Sequence, residues 1–180
     1  MNTLAIIIGR FQPLHVWHTL LIESALQKHE TVLVLVGSSD VTDELNPLSF
    51  EQREHILQTQ YPDSNIMIDA LVDMPDDLAW VESITTIIHL LGNYDAVEFY
   101  CGDQENDSAI QALKQFQSHL LMTQVDYHCI DRSNVTIAYD GVQTPITATL
   151  IRSALRAGRF EEIQRAIPRN IREEIQELFA

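Results

Sequence analysis

The feature that most constrains this chain is a succession of short, uninterrupted apolar runs separated by stretches of helical period. Residues 3–8 (TLAIII) and 31–36 (TVLVLV) are apolar at consecutive positions, and 65–70, 96–100 and 124–130 have strand length and composition. A strand that is apolar at every position must be covered on both faces, as in parallel sheets. Between these runs, residues 17–28 carry Leu20, Leu21, Ala25 and Leu26 at helical spacing, and 50–59, 79–91 and 108–116 also read as helices. Two more, 147–157 and 169–178, form a C-terminal helical segment. Strands alternating with helices predict an α/β fold, a parallel sheet flanked by helices on both faces. The 180 residues suffice for one sizeable core, so residues 1–180 are expected to form a single domain. In such sheets ligands sit beyond the carboxyl ends of the strands, which directs attention to the residues after each run.

Composition narrows the partners. Acidic residues outnumber basic ones 26 to 11, a net charge of −15. A field of that sign repels nucleic acid and anionic membranes, so neither is expected as a partner. A polyanionic substrate would require the few arginines to gather where it binds. No apolar run approaches the ~20 residues that span a bilayer. The apolar start is too short for a signal peptide, and a cytoplasmic protein is expected. Cys101 and Cys129 lack metal-ligand partners at short spacing and read as small buried hydrophobes.

Directly after the first run comes Gly9-Arg10-Phe11-Gln12-Pro13-Leu14-His15-Val16-Trp17-His18, and then a helix. Gly9 permits a sharp turn and a close approach to a ligand. Pro13 fixes the loop. His15 and His18, three apart across a helix start, share one face. The free N–H groups and partial positive charge of a helix N-terminus make two imidazoles there a site for phosphate oxygens. Arg10 adds a permanent cation. The plainer alternative is one capping and one surface histidine, which the preceding strand and Gly-Arg-Phe-Gln-Pro disfavour.

A second informative segment is Ile146-Thr147-Ala148-Thr149-Leu150-Ile151-Arg152, which leads into a helix. Thr147 or Thr149 can cap it. Arg152, one turn on, can reach a phosphate at the same helix end. Two helix starts, each with an arginine and hydroxyl or imidazole donors, suggest a triphosphate held between them.

GRFQPLHVWH resembles the signature of the H-x-G-H nucleotidyltransferases, and ITATLIR resembles their second motif, Ser/Thr-x-Thr-x-Ile-Arg. Within that superfamily the chain is most similar to the archaeal-type nicotinamide-mononucleotide (NMN) adenylyltransferases, including the related domain fused to Nudix hydrolases in bacteria. Gly37-Ser38-Ser39, the segment Asn46 to Arg53, Asp73 with Ala79-Trp80-Val81, and Tyr100-Cys101-Gly102-Asp103 are similar to further segments of that family. The resemblance spans nearly the whole chain and implies a Rossmann-like fold.

It also implies roles. His15, His18 and Arg152 would be catalytic. ATP would be bound by these three with Gly9, Arg10, Arg53, Gly102, Asp103, Thr147 and Thr149. Trp80 would stack on the nicotinamide ring, with Phe11, Gln12, Asn46 and Asp73 also lining the NMN pocket. The 5′-phosphate of NMN would attack the α-phosphorus of ATP, giving NAD and pyrophosphate without a covalent enzyme intermediate. Catalysis would rest on positioning and electrostatic stabilisation. Mg²⁺ would arrive on the nucleotide rather than in a protein-bound metal site. Arg10, Arg53 and Arg152 fall in these segments, whereas Arg132, Arg156, Arg159, Arg165, Arg169 and Arg172 do not. The same chemistry on nicotinate mononucleotide, phosphopantetheine or another phosphorylated acceptor is an alternative, and the family resemblance suggests a homo-oligomer. One position departs from the pattern: Trp17 stands where the family has Gly. The indole would intrude on the ATP site, swing over the surface, or stack on a base, and a nucleotide-binding sensor with weak or no activity is the corresponding alternative function.

Overall fold

A computed structural model describes residues 2–102 and 107–180. Five strands, β1 (Thr3–Gly9), β2 (Val32–Gly37), β3 (Ile66–Leu71), β4 (Ala96–Cys101) and β5 (Gln124–Cys129), form one sheet in the order β3-β2-β1-β4-β5. Every neighbouring pair is parallel. The expected α/β fold is present, with no strand bound shifted by more than one residue. β1 is buried from Leu4 to Ile7 and β2 from Val32 to Val36, as strands covered on both faces must be.

Helices occupy both faces. On one lie α1 (Val16–Leu26), α2 (Phe50–Gln60), α5 (Ala148–Arg156), the short α6 (Phe160–Ile163) and α7 (Arg172–Leu178), packed on Ala5, Ile7, Val34 and Tyr100. On the other lie α3 (Asp77–Leu91) and α4 (Ser108–Gln115), packed on Leu4, Ile6, Leu33, Phe99 and Cys101. The chain runs outward from β1 to β2 and β3, then returns to lay β4 on the other side of β1. The strand order therefore reverses between β1 and β4, and the crevice beyond their carboxyl ends is where such a sheet binds ligands. Those ends are Gly9 and Cys101-Gly102.

Besides the short α6, a hairpin was not anticipated. Its strands, β6 (Thr136–Tyr139) and β7 (Val142–Pro145), lie between β5 and α5. Its two-residue turn is Asp140-Gly141, with φ of 51° and 75°, the backbone of a type I′ turn that Asp-Gly favours. Asp140 also accepts from the Arg159 guanidinium, which lies 4.5 Å from the centre of the Tyr139 ring. No helix among the described residues is long and apolar enough to cross a membrane.

Candidate functional site

The loop from Arg10 to His15 leaves β1 and enters α1, and it is held from three sides. Phe11 tucks its ring beneath Gly9, so a Cβ at Gly9 would meet the ring at 3.0 Å. A larger residue at position 9 would therefore have to push the Phe11 ring aside. Phe11 itself has φ 49°, a strained value for a bulky residue. The buried Gln12 pairs its side-chain amide with the backbone of Leu48 in both directions, donating at 2.8 Å and accepting at 3.0 Å. Arg53, wholly buried, donates from Nε to Ser49 O at 3.1 Å. Its Nη1 donates to Arg10 O at 2.9 Å and Gly37 O at 2.8 Å, and its Nη2 to Ser38 O at 3.1 Å. Position 53 was expected to contact phosphate. Instead four of its five donors are spent on carbonyls, and it ties the loops after β1 and β2 to the start of α2. That start carries a reciprocal Ser49–Gln52 capping box, which gives a structural reason for that stretch of sequence.

On this scaffold the two imidazoles stack, with centroids 3.8 Å apart and planes at 18°. His15 is the N-cap of α1, yet its side chain makes no capping bond. Phe11 lies 4.7 Å from the His18 ring. Both Nδ1 atoms are buried without a hydrogen-bond partner. Burial, then the charge of Arg132, lowers the pKa of His15 from 6.5 to about 3. Burial, the neighbouring His15 and Arg132 hold His18 well below its usual value. Both rings are thus neutral near pH 7, each keeping one N–H to donate. Buried polar atoms without partners are uncommon in native folds, and a pair at a helix start marks a place for a ligand.

The second helix start closes on the first. Thr147 caps α5 by accepting from Leu150 N at 3.1 Å. Arg152 donates from Nη1 to Gln12 O at 2.7 Å and from Nη2 to Thr149 Oγ1 at 3.4 Å. One bond thus joins residues 140 apart in sequence. Burial and the charges of Arg10 and Arg156 depress the Arg152 pKa, so a cluster of cations faces the loop.

Arg132, which lies outside the motif segments, belongs to this site. It follows β5, is exposed, and its Cδ comes within 3.9 Å of the Cβ position at Gly102. No sequence motif marks it. The parallel pairing of β4 with β5 brings it beside Gly102, where its charge acts on both imidazoles.

The other expected residues are placed as follows. Trp17 is core, 4% exposed, with Cζ2 3.4 Å from the Cβ position at Gly102. The indole fills the space between α1 and the end of β4 and does not lie over the surface. Asn46 is buried and donates to Asp43 Oδ1 at 3.1 Å, while its own Oδ1 lacks a partner. Asp73, exposed after β3, accepts from Ser38 Oγ at 3.1 Å. Trp80, in the first turn of α3, is half-buried against the opposite face of the sheet from the histidines. Asp103 lies outside the described residues.

Comparison with known proteins agrees with this geometry. The sequence profile of the cytidylyltransferase-like family matches residues 6–154. A nicotinamide/nicotinic acid mononucleotide adenylyltransferase of Acinetobacter baylyi is 28% identical over 90 residues, covering 48% of this chain and 48% of that protein. A nicotinamide-nucleotide adenylyltransferase of Aeropyrum pernix is 30% identical over 89 residues, covering 46% and 52%. The chain thus spans about half the length of the curated relatives it matches. A solved structure of a bifunctional NMN adenylyltransferase/ADP-ribose pyrophosphatase from Francisella tularensis, complexed with AMP and a Mn ion, has the same fold. Its TM-score is 0.71 at 20% identity, covering 99% of this chain and 51% of that one.

Proposed function

The chain belongs to the cytidylyltransferase-like family, and from that premise we propose that it transfers the adenylyl group of ATP to nicotinamide mononucleotide, releasing pyrophosphate and forming NAD. The observation that carries this reading is the stacked, neutral His15–His18 pair at the start of α1, with the Arg152 guanidinium from the start of α5 bonded to the loop that leads into it.

In this reading residues 1–180 act as one nucleotidyltransferase domain. The triphosphate lies across the two helix starts. His15 and His18 donate N–H groups to its phosphate oxygens, and Arg10, Arg132 and Arg152 supply fixed positive charge. An acceptor phosphate oxygen attacks the α-phosphorus, the bond to the bridging oxygen breaks, and pyrophosphate leaves with that electron pair. No side chain is required as a nucleophile. Charge building on the phosphoryl oxygens meets donors already in place, the arrangement that lowers such barriers most. Mg²⁺ enters bound to the triphosphate as part of the substrate. The ribose lies at the end of β4 beside Gly102, where Trp17 and Arg132 approach, with Asp103 as a further contact. Asn46, whose buried Oδ1 lacks a partner, together with Asp73 and Trp80, forms the acceptor side. Phe11, Gln12 and Arg53 shape the loops rather than touch the substrate.

The name of the Acinetobacter relative, which covers both pyridine mononucleotides, supports nicotinate mononucleotide as a second acceptor. The burial of Trp17 weighs against a sensor without turnover, because the indole is accommodated in the core and the imidazoles keep their place. The test is an end-point assay with Mg-ATP and each mononucleotide, reading dinucleotide and pyrophosphate together. Equal amounts of both products are expected. Nucleotide binding by calorimetry without any dinucleotide from either acceptor would overturn the reading.

A further inference from the structure

Cys101 and Cys129 are 28 residues apart in sequence and were expected to be inert core residues, but they face each other as register partners at the ends of β4 and β5. Neighbouring strands run about 4.7–4.9 Å apart, inside the Cα separation of roughly 4.4–6.8 Å that a disulfide needs. The preceding rung on the same face, Phe99 and Tyr127, already has its rings stacked at 5.6 Å and 18°, so side chains in this register project side by side. The two thiols differ in access: Cys101 is buried and Cys129 exposed. Cys101 Sγ donates to His128 O at 3.7 Å, and Cys129 Sγ donates to Gly102 O. The pair sits at the lip of the crevice, with Gly102 immediately following one cysteine and Arg132 three residues beyond the other.

We propose that Cys101 and Cys129 form a reversible dithiol–disulfide pair that reacts with low-molecular-weight disulfides. Cys129, the accessible thiol, gives its proton to water and attacks one sulfur of the small disulfide. The small S–S bond breaks, and one small thiol leaves carrying a proton. Cys101 then gives up its proton and attacks Cys129 Sγ, expelling the second small thiol and closing the protein disulfide. The protein is oxidised by two electrons and the small disulfide is reduced to two thiols. The order of attack follows from the environments. Burial first, then the charges of Cys129 and Asp107 and a hydrogen bond with the Cys129 thiol, push the Cys101 thiol up to about 12. It therefore attacks only when its target is already beside it. The closed bond ties Gly102 and the Arg132 loop together across the two strand ends.

The test uses the full chain incubated with oxidised glutathione, denatured in excess alkylating reagent and weighed intact. Wild type is expected to lose the mass of two hydrogens and take up no alkyl group. Cys101→Ala is expected to stop with one glutathione on Cys129, and Cys129→Ala to stay unmodified until denatured, then take one alkyl group. Wild type carrying an unresolved glutathione, or both cysteines alkylated, overturns the proposal. So does a disulfide-linked dimer on a non-reducing gel, since it places the bond between chains.

Discussion

The two helix starts that meet at the crevice are built to opposite specifications. At α5 the helix start is capped and its arginine is anchored. Thr147 caps the helix, and Arg152 donates to both Thr149 and the backbone of Gln12. At α1 the cap residue His15 makes no capping bond, and both imidazole Nδ1 atoms are left without partners inside the protein. The first arrangement holds two distant parts of the chain in register, while the second reserves its donors. The same division separates the arginines. Arg53 is spent on four carbonyls, whereas Arg132 is exposed beside Gly102, where its charge is felt by both imidazoles. Spent groups set geometry and unspent groups meet substrate, and Arg152 does both, since its bonds to Gln12 and Thr149 leave other N–H groups of the guanidinium uncommitted.

Removing a spent group should therefore unfold, and removing an unspent one should slow turnover without unfolding. The largest effect is expected at Arg53. Arg53→Ala removes four side-chain hydrogen bonds, and at about 1 kcal/mol each the loss is roughly 4 kcal/mol of stability. Urea denaturation would show it as a lower midpoint. A variant as stable as wild type, with only its ATP affinity reduced, would move Arg53 to the substrate side of the division. Next is His18→Ala, for which dinucleotide formation should fall by roughly 10²–10³, equivalent to about 2.7–4 kcal/mol of barrier. The thermal midpoint should stay close to that of wild type. A large drop in that midpoint with intact turnover would break the comparison.

Much of this division was legible before the fold was known. The uninterrupted apolar runs specified a parallel sheet, and a sheet of that kind places its ligand where Gly9 and Gly102 lie. The two motif segments pointed to the histidines and Arg152, which the fold brings to neighbouring helix starts, because such segments are local: a strand end, a turn and a helix start adjacent in sequence. Three things were not legible, for different physical reasons. The burial of Arg53 depends on carbonyls from three loops, which no local pattern announces. Arg132 and the cysteine pair depend on which strands neighbour β4, a question of topology rather than spacing. The hairpin after β5 was readable and was missed, since Asp140-Gly141 between short β-prone stretches is a strong turn signal. Trp17 offered three outcomes from sequence, and it fills the space over Gly102, leaving no exposed indole.

The unspent end should also make itself felt as pH falls. His15 has a folded pKa of about 3 against 6.5 for the free side chain. Between those values the unfolded chain takes up a proton that the folded one refuses. Stability is therefore unaffected by His15 above about pH 6.5 and declines as pH drops toward 3. At pH 5 the loss is roughly 2 kcal/mol relative to pH 8. His15→Gln, which cannot titrate, should flatten that part of the curve. Denaturation midpoints at pH 8, 6 and 5 for both proteins check this, and parallel curves would mean the ring is not held in a dry, partnerless setting.

The smallest effect isolates the spent end. Thr147 satisfies one amide in the first turn of α5, and Thr147→Ala should cost about 1 kcal/mol, the usual worth of such a cap. Thr149 only receives a long contact from Arg152, so Thr149→Ala should cost a few tenths at most. Because α5 carries Arg152 to Gln12, fraying its first turn loosens the bond that joins the two helix starts. Thr147→Ala should thus raise the KM for ATP modestly while leaving kcat almost unchanged, since the imidazoles stay where Phe11 and the α1 turn hold them. A loss of kcat with KM unchanged would mean that Thr147 is itself a donor to the substrate, and that the second helix start is as open as the first.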